Sequence, residues 1–154
     1  MPDRLPILVL IACTSLLAGC EGDSSEPLVP ASGVVTLDGQ PIEGVAITLV
    51  PKEGTSMGRI CYGTTDGEGR FELRGSPERA GAIVGEHWAQ FVKMTQEDGS
   101  PIPEGATPEE VIPFNQLPEA YAESSTTPIS VVIPPDGTSD MQFELTSQVR
   151  PRNR

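Results

Sequence analysis

Four Asp-Gly pairs, at Asp38-Gly39, Asp66-Gly67, Asp98-Gly99 and Asp136-Gly137, cut the chain into short pieces and constrain its fold more than any other feature. Asp-Gly between alternating apolar runs marks hairpins and loops, because glycine enters the left-handed backbone region and aspartate bonds nearby backbone N–H groups. Sixteen glycines and sixteen prolines supply further breaks, and long helix-favouring runs are missing.

Between the breaks, period-two alternation predicts seven strands. Val35 and Leu37 share a face in the first; Val45, Ile47 and Leu49 share one in the second, with Ala46 and Thr48 opposite. Arg59 to Thr64 forms the third. In the fourth, Phe71 and Leu73 point one way while Arg70, Glu72 and Arg74 point to water. The fifth runs from Glu86 to Met94, with His87, Ala89 and Phe91 on one side and Trp88, Gln90 and Val92 on the other. Ile129, Val131 and Ile133 define the sixth, and Met141, Phe143 and Leu145 the seventh. With no helical crossovers between them, these strands predict an all-β fold, a seven-stranded antiparallel β-sandwich.

One stretch breaks the pattern. Thr95 to Phe114 holds Pro101, Pro103, Pro108 and Pro113 beside Glu97, Asp98, Glu104, Glu109 and Glu110. A loop of this length in a compact domain is usually functional or disordered. Within it, Thr107-Pro108-Glu109-Glu110 fits a capping box, with Thr at the cap and Glu at the third helical position, and predicts one helical turn stopped by Pro113. A second turn is expected around Pro118 to Ala122.

The amino terminus is of another kind. Arg4 precedes an almost wholly apolar run, Leu5 to Leu17, whose thirteen residues would span roughly 20 Å as a helix, against a bilayer core of about 30 Å. That length suits a secretory leader better than a permanent span. The run ends at Leu17-Ala18-Gly19-Cys20, which resembles the lipobox of bacterial lipoproteins, where small residues precede the cleaved bond and the cysteine thiol takes the lipid. The resemblance implies cleavage before Cys20 and attachment of palmitate-type acyl chains. Two or three chains anchor stably where one does not, at about 0.8 kcal/mol per buried methylene. The expected organisation is a signal peptide over 1–19, the lipidated cysteine and a flexible acidic tether over 20–31, the sandwich over 32–147, and a basic disordered tail over 148–154. The expected location is the cell envelope: the periplasmic side of the inner or outer membrane, or the cell surface.

Charge and cysteines narrow the partners. A net charge of −12 argues against nucleic acid, which needs a basic footprint, and against electrostatic adhesion to anionic lipid. Cys13 leaves with the leader and Cys20 carries lipid, so Cys61 has no intramolecular partner and reads as a small buried apolar residue.

Several segments resemble one family. Ser32 to Val45 (SGVVTLDGQPIEGV) is similar to the opening of carboxypeptidase regulatory-like domains, which have a transthyretin-like or prealbumin-like sandwich. Gly63 to Phe71 (GTTDGEGRF) looks like their central turn, and Gly85-Glu86-His87-Trp88 sits where the family often has Gly-Glu-Tyr, with His87 in place of the tyrosine. Leu117 to Tyr121 and Ser125 to Ile129 resemble the segment before the last two strands in small lipoproteins of this type. The resemblance covers nearly all of Ser32 to Thr146 and consists of turn and core patterns, so it implies a fold more than an activity. Asp38, Gly39, Asp66, Gly67 and Gly69 read as structural turn residues and Phe71 as a core plug.

Catalytic constellations fail one by one. A zinc peptidase site typically needs two histidines and a glutamate, whereas this chain has the single His87. The hydroxyisourate hydrolases that share the fold carry several histidines and a C-terminal Tyr-Arg-Gly-Ser; here the chain ends Arg150-Pro151-Arg152-Asn153-Arg154. His87 alternates with Ala89 and Phe91, which points it to the core rather than toward a nucleophile, and no serine sits in a nucleophile-elbow pattern. Gly63 to Gly69 lacks the lysine and following helix of a phosphate loop. The carboxylate pairs Asp66/Glu68 and Asp136/Asp140 fall short of the six to eight oxygens calcium takes. The reading is a membrane-anchored module without enzymatic activity, cofactor or metal, structural or protein-binding, with sheet edges and connecting loops, above all Thr95 to Phe114, as the expected contact surfaces. The alternative is a carbohydrate or small-ligand module using Trp88, Tyr62 or Tyr121.

Overall fold

A computed structural model describes residues 27–52, 60–103, 105–107 and 110–152. The described chain is all-β. Its strands of three or more residues are β1 (Ala31–Leu37), β2 (Ala46–Pro51), β3 (Cys61–Thr64), β4 (Arg70–Glu72), β5 (Arg74–Ser76), β6 (Gly85–Val92), β7 (Ser130–Ile133) and β8 (Thr138–Leu145). One sheet runs β7-β6-β2-β3-β5, with the two-residue strand Arg79–Ala80 at its far edge. The other places β1 between β8 on one side and β4 with Gln40–Pro41 on the other.

Alternation works as expected in most strands. His87, Ala89 and Phe91 of β6 are buried while Trp88, Gln90 and Val92 are only half-buried, and Met141, Phe143 and Leu145 of β8 are buried. The sheets meet face to face through rings: Phe91 of one lies 5.0 Å from Phe143 of the other, edge to face, and Phe143 stacks on Phe71 at 5.6 Å. Such pairs contribute about 0.5–1.5 kcal/mol beyond the area they bury. Around them Val35, Val45, Ile47, Leu49, Leu73 and Leu145 complete an aliphatic core.

Two features depart from an all-antiparallel sandwich of seven strands. β8 runs parallel to β1, in register from Met141 opposite Gly33 to Leu145 opposite Leu37. A parallel pair needs a long connection, usually a helix. Here the first and last long strands pair, and the rest of the domain is the connection, so no helix is required. A bulge between Thr138 and Met141 accompanies the pairing, and at Gly33 the main chain of Met141 approaches so closely that a side chain has no room. The second departure is the expected fourth strand. It divides at Leu73: β4 pairs with β1 and β5 pairs with β3, so one run of chain crosses from sheet to sheet.

The chain enters and the long loop leaves at opposite ends. Leu28–Val29 pairs with Ala82–Ile83, just before β6 begins, while Lys93 and the loop follow directly after β6 ends. The eight residues of β6 separate the two by roughly 26 Å at about 3.3 Å per residue. The described residues contain no helix long and apolar enough to cross a membrane.

Candidate functional site

The lipobox residues Leu17, Ala18 and Gly19 and the cysteine Cys20 lie outside the described residues, as does the Arg59 end of the third strand. The turn residues lie within them. Asp38, at φ 49°, and Gly39, at φ 82°, make the tight turn between β1 and Gln40–Pro41. The carboxylate of Asp38 reaches far along the chain, accepting the Ser147 N–H at 3.0 Å, while its own N–H donates to the Leu145 carbonyl at 2.9 Å. This aspartate therefore ties the end of β8 to the first hairpin.

Asp66 acts locally, its carboxylate accepting the N–H groups of Glu68 and Arg70 at 3.0 and 2.8 Å. Those bonds account for it as a turn residue. Gly69, at φ 72°, donates to Asp66 O and its carbonyl accepts the Val35 N–H at 2.8 Å. Gly67 departs from expectation: it has no positive φ, and a Cβ there would meet nothing within 4 Å, so glycine is not required. Phe71 is buried in the ring stack.

The segment between β6 and β7 is pinned at its base. Met94–Thr95 pairs antiparallel with Phe114–Asn115, the Asn115 side chain accepts the N–H groups of Lys93 and Leu117, and Gln116 N–H donates to Lys93 O. Two turns inside it carry their own bonds. Asp98 accepts the hydroxyl and N–H of Ser100, which hold its carboxyl below the usual range. Glu110 accepts the Thr107 N–H and, more weakly, its hydroxyl, the return half of the expected capping box, and its carboxyl is likewise held low. The Glu110 and Val111 N–H groups both donate to Thr107 O; Pro108 and Glu109 of the predicted turn lie outside the described residues. The Asp98 and Glu110 carboxylates therefore stay charged further into acid than an ordinary carboxyl. The loop also exposes apolar side chains: Ile112 is 85 % exposed and Met94 and Phe114 each 53 %.

After the loop, Glu119–Tyr121 forms the second expected turn, of the 3-10 type. Tyr121 is no surface aromatic. It is buried edge-on against Phe91, its hydroxyl donating to Thr146 O at 3.4 Å and accepting the Thr146 N–H at 3.0 Å. Two buried threonines that alternation does not single out do similar work. Thr65 accepts from Val45 N and donates to Ile42 O, and Thr127 donates to Ala89 O at 2.7 Å. Each satisfies backbone groups that strand pairing leaves over.

Trp88 is half-buried on the outer face of β6, and its ring is taken. The guanidinium carbon of Arg152 lies 3.4 Å from the ring centroid, and Lys52 Nζ lies 4.0 Å from it. Lys52 also pairs with Glu86 at 3.5 Å. Arg152 Nη2 donates to the carbonyls of Ser124 and Ser125, at 2.9 and 3.3 Å, and the Arg152 N–H donates to Thr126 O at 2.8 Å. Val149 packs against the core. The tail expected to fray is thus seated as far as Arg152, because an aromatic face and three carbonyls receive its arginine.

The remaining reactive groups are enclosed. His87 is fully buried; Nδ1 donates to Gly85 O at 3.0 Å and Nε2 has no partner among the described residues. Burial pushes its pKa down. Burial likewise pushes the Cys61 thiol up, opposed by the Ile83 N–H that it accepts at 3.4 Å. Neither presents a base or nucleophile to solvent. Among the described residues no three His, Cys, Asp or Glu side chains group as metal ligands would. Comparison with known protein families, with characterised proteins and with solved structures finds no match to this chain.

Proposed function

We propose that the chain is a bacterial envelope lipoprotein, cleaved before Cys20 and acylated on it, whose single domain is a prealbumin-like sandwich of the carboxypeptidase regulatory-like kind. The domain acts without catalysis, as a structural or protein-interaction module. Its contact surface is the loop from Thr95 to Phe114. The observation that carries this reading is the design of that loop: its base is pinned by paired strands and an asparagine bracket, yet Ile112 and Phe114 stay in water. Large apolar side chains held out on an ordered base lose little conformational entropy on binding a partner. The loop also stands at the end of β6 opposite Leu28–Val29.

Two further observations support the reading. The lipobox precedes an acidic, proline-containing tether of the kind that lifts a domain off a surface. The single histidine is sealed in the core, which deprives hydrolytic chemistry of its usual base. Trp88, the aromatic a sugar-binding module would use, is covered by two cations, which weighs against the carbohydrate reading. The test is recovery of envelope proteins by the full chain and by a variant with residues 96–113 replaced by a short glycine-serine bridge. Loss of a specific partner on loop replacement is the expected result; equal recovery overturns the loop's role. Labelling with a fatty-acid probe tests the anchor separately, and a Cys20→Ala variant that still labels removes it.

A further inference from the structure

The contact between Arg152 and Trp88 has the composition of a receptor site. A guanidinium needs a flat apolar or aromatic face and in-plane acceptors at its edge. Trp88 supplies the face at stacking distance, and the carbonyls of Ser124 and Ser125 supply acceptors for Nη2. Those carbonyls do not belong to any strand; they sit in the irregular segment between Tyr121 and β7. Their orientation is fixed from below by Thr127, whose fully buried hydroxyl bonds Ala89 O, and by the Thr126 and Thr127 N–H groups bonded to Glu123 O. Beside the seat, a cleft of about 280 Å³ lies between Pro151 and the carboxylate-bearing residues Glu119 and Glu123. The seat is thus built by the domain and only filled by the tail.

We propose that Trp88 with the carbonyls of Ser124 and Ser125 is a guanidinium-binding site, occupied in cis by Arg152 and open in trans to an arginine carried on an extended segment of a partner. Three features favour exchange. Among the described residues the tail makes one main-chain bond beside the site, Arg152 N–H to Thr126 O, and joins no strand, with Val149 against the core as its other hold. Arg152 Nη1 is buried without an acceptor among the described residues, so the cis occupant leaves one donor unsatisfied there; an arginine whose own segment brings a carbonyl to that nitrogen binds better. The chain's charge of −12 draws cationic segments toward it. The tail then acts as a latch that a better arginine displaces.

Trp88 is the only tryptophan, so its fluorescence reports this site alone. The experiment measures acrylamide quenching of Trp88 in the full chain, in Arg152→Ala and in Arg152→Lys. Quenching is expected to rise about twofold in the alanine variant as the ring uncovers, and by less in the lysine variant, which keeps charge but loses the planar stack. A synthetic peptide of residues 148–154 added to Arg152→Ala restores protection. The same peptide with lysine at position 152 requires roughly tenfold more, the scale of a desolvated arginine stack. Arginine amide, the side chain without the segment, protects only at far higher concentration than the peptide. Unchanged quenching in Arg152→Ala overturns the proposal, as does equal protection by the arginine and lysine peptides. Unchanged partner recovery in the loop experiment does not bear on it.

Discussion

The two open sides of the sandwich are closed by different means. On one, the backbone itself crosses: β4 lies in one sheet and β5 in the other, with Leu73 between them fully buried. Its N–H donates to Ala31 O at 2.8 Å and its carbonyl accepts the Gly81 N–H at 2.7 Å. On the other side, β7 and β8 are edges of different sheets joined by the turn at residues 134–137, and closure falls to side chains of an irregular segment. Tyr121 bridges Phe91 to Thr146, and Thr127 bonds Ala89 O. A crossing strand spreads its load over many contacts, whereas a side-chain bridge rests on a few atoms. The crossing should therefore be costly to disturb, and the bridge cheap to cut at any single atom.

Leu73→Ala should give the largest loss. It removes a wholly buried side chain at the point where the sheets exchange a strand, for which about 2–5 kcal/mol is expected, depending on how far the site collapses. Urea unfolding followed by circular dichroism measures it. A loss under 1 kcal/mol would mean that the crossing carries no more load than the opposite side. Gly69→Ala comes next. It forces a left-handed angle of 72° on an L side chain and puts a methyl group 2.5 Å from Val35 O, so about 2 kcal/mol is expected. Gly67→Ala is the matched control, with no positive φ and no neighbour within 4 Å, and should stay within about 0.5 kcal/mol of the parent.

On the bridged side, Tyr121→Phe keeps the ring against Phe91 and removes the hydroxyl that holds Thr146. About 1 kcal/mol is the expected cost, the net worth of an ordinary hydrogen bond with one partner left behind. If it instead exceeds the Leu73→Ala loss, the contrast between the two sides is reversed. Amide exchange at Thr146 should quicken in the same variant, since that N–H loses its acceptor.

The contrast also explains what alternation made legible. It assigned Leu73 to the inside, because a buried residue between exposed Glu72 and Arg74 has the strand period whichever sheet it joins. The change of sheet was hidden for the same reason: a period of two is blind to the partner strand. That blindness also concealed the parallel pairing of β8 with β1, whose inward residues Met141, Phe143 and Leu145 would alternate identically in an antiparallel pair. Tyr121 and Thr127 lie in a segment with no period at all, so their burial left no trace beyond a resemblance of pattern. Arg152 carried one faint signal, a basic tail on an acidic chain holding a single tryptophan, and only the fold brings the two together.

The smallest effect concerns His87, on the bridged side, where β6 pairs with β7. Gly85 O can only accept, so Nδ1 carries a proton, and Nε2 has no partner among the described residues, so burial favours the neutral imidazole. Charging the ring places a proton on Nε2 inside the core with no acceptor, which agrees with a folded pKa depressed by burial below 6.5. Between that folded value and 6.5 the unfolded chain binds more protons than the folded one, so stability rises with pH there. The contribution is complete above pH 6.5 and is lost as the pH falls toward the folded pKa, at no more than about 1.4 kcal/mol per pH unit. At pH 7.5 a His87→Gln variant reports only packing. The difference in unfolding free energy between parent and variant should then shift in the variant's favour as the pH is lowered from 6.5 to 5. A difference that stays constant across that range would mean that the ring is already solvated or partnered, and that the bridged side hides no unpaired polar atom.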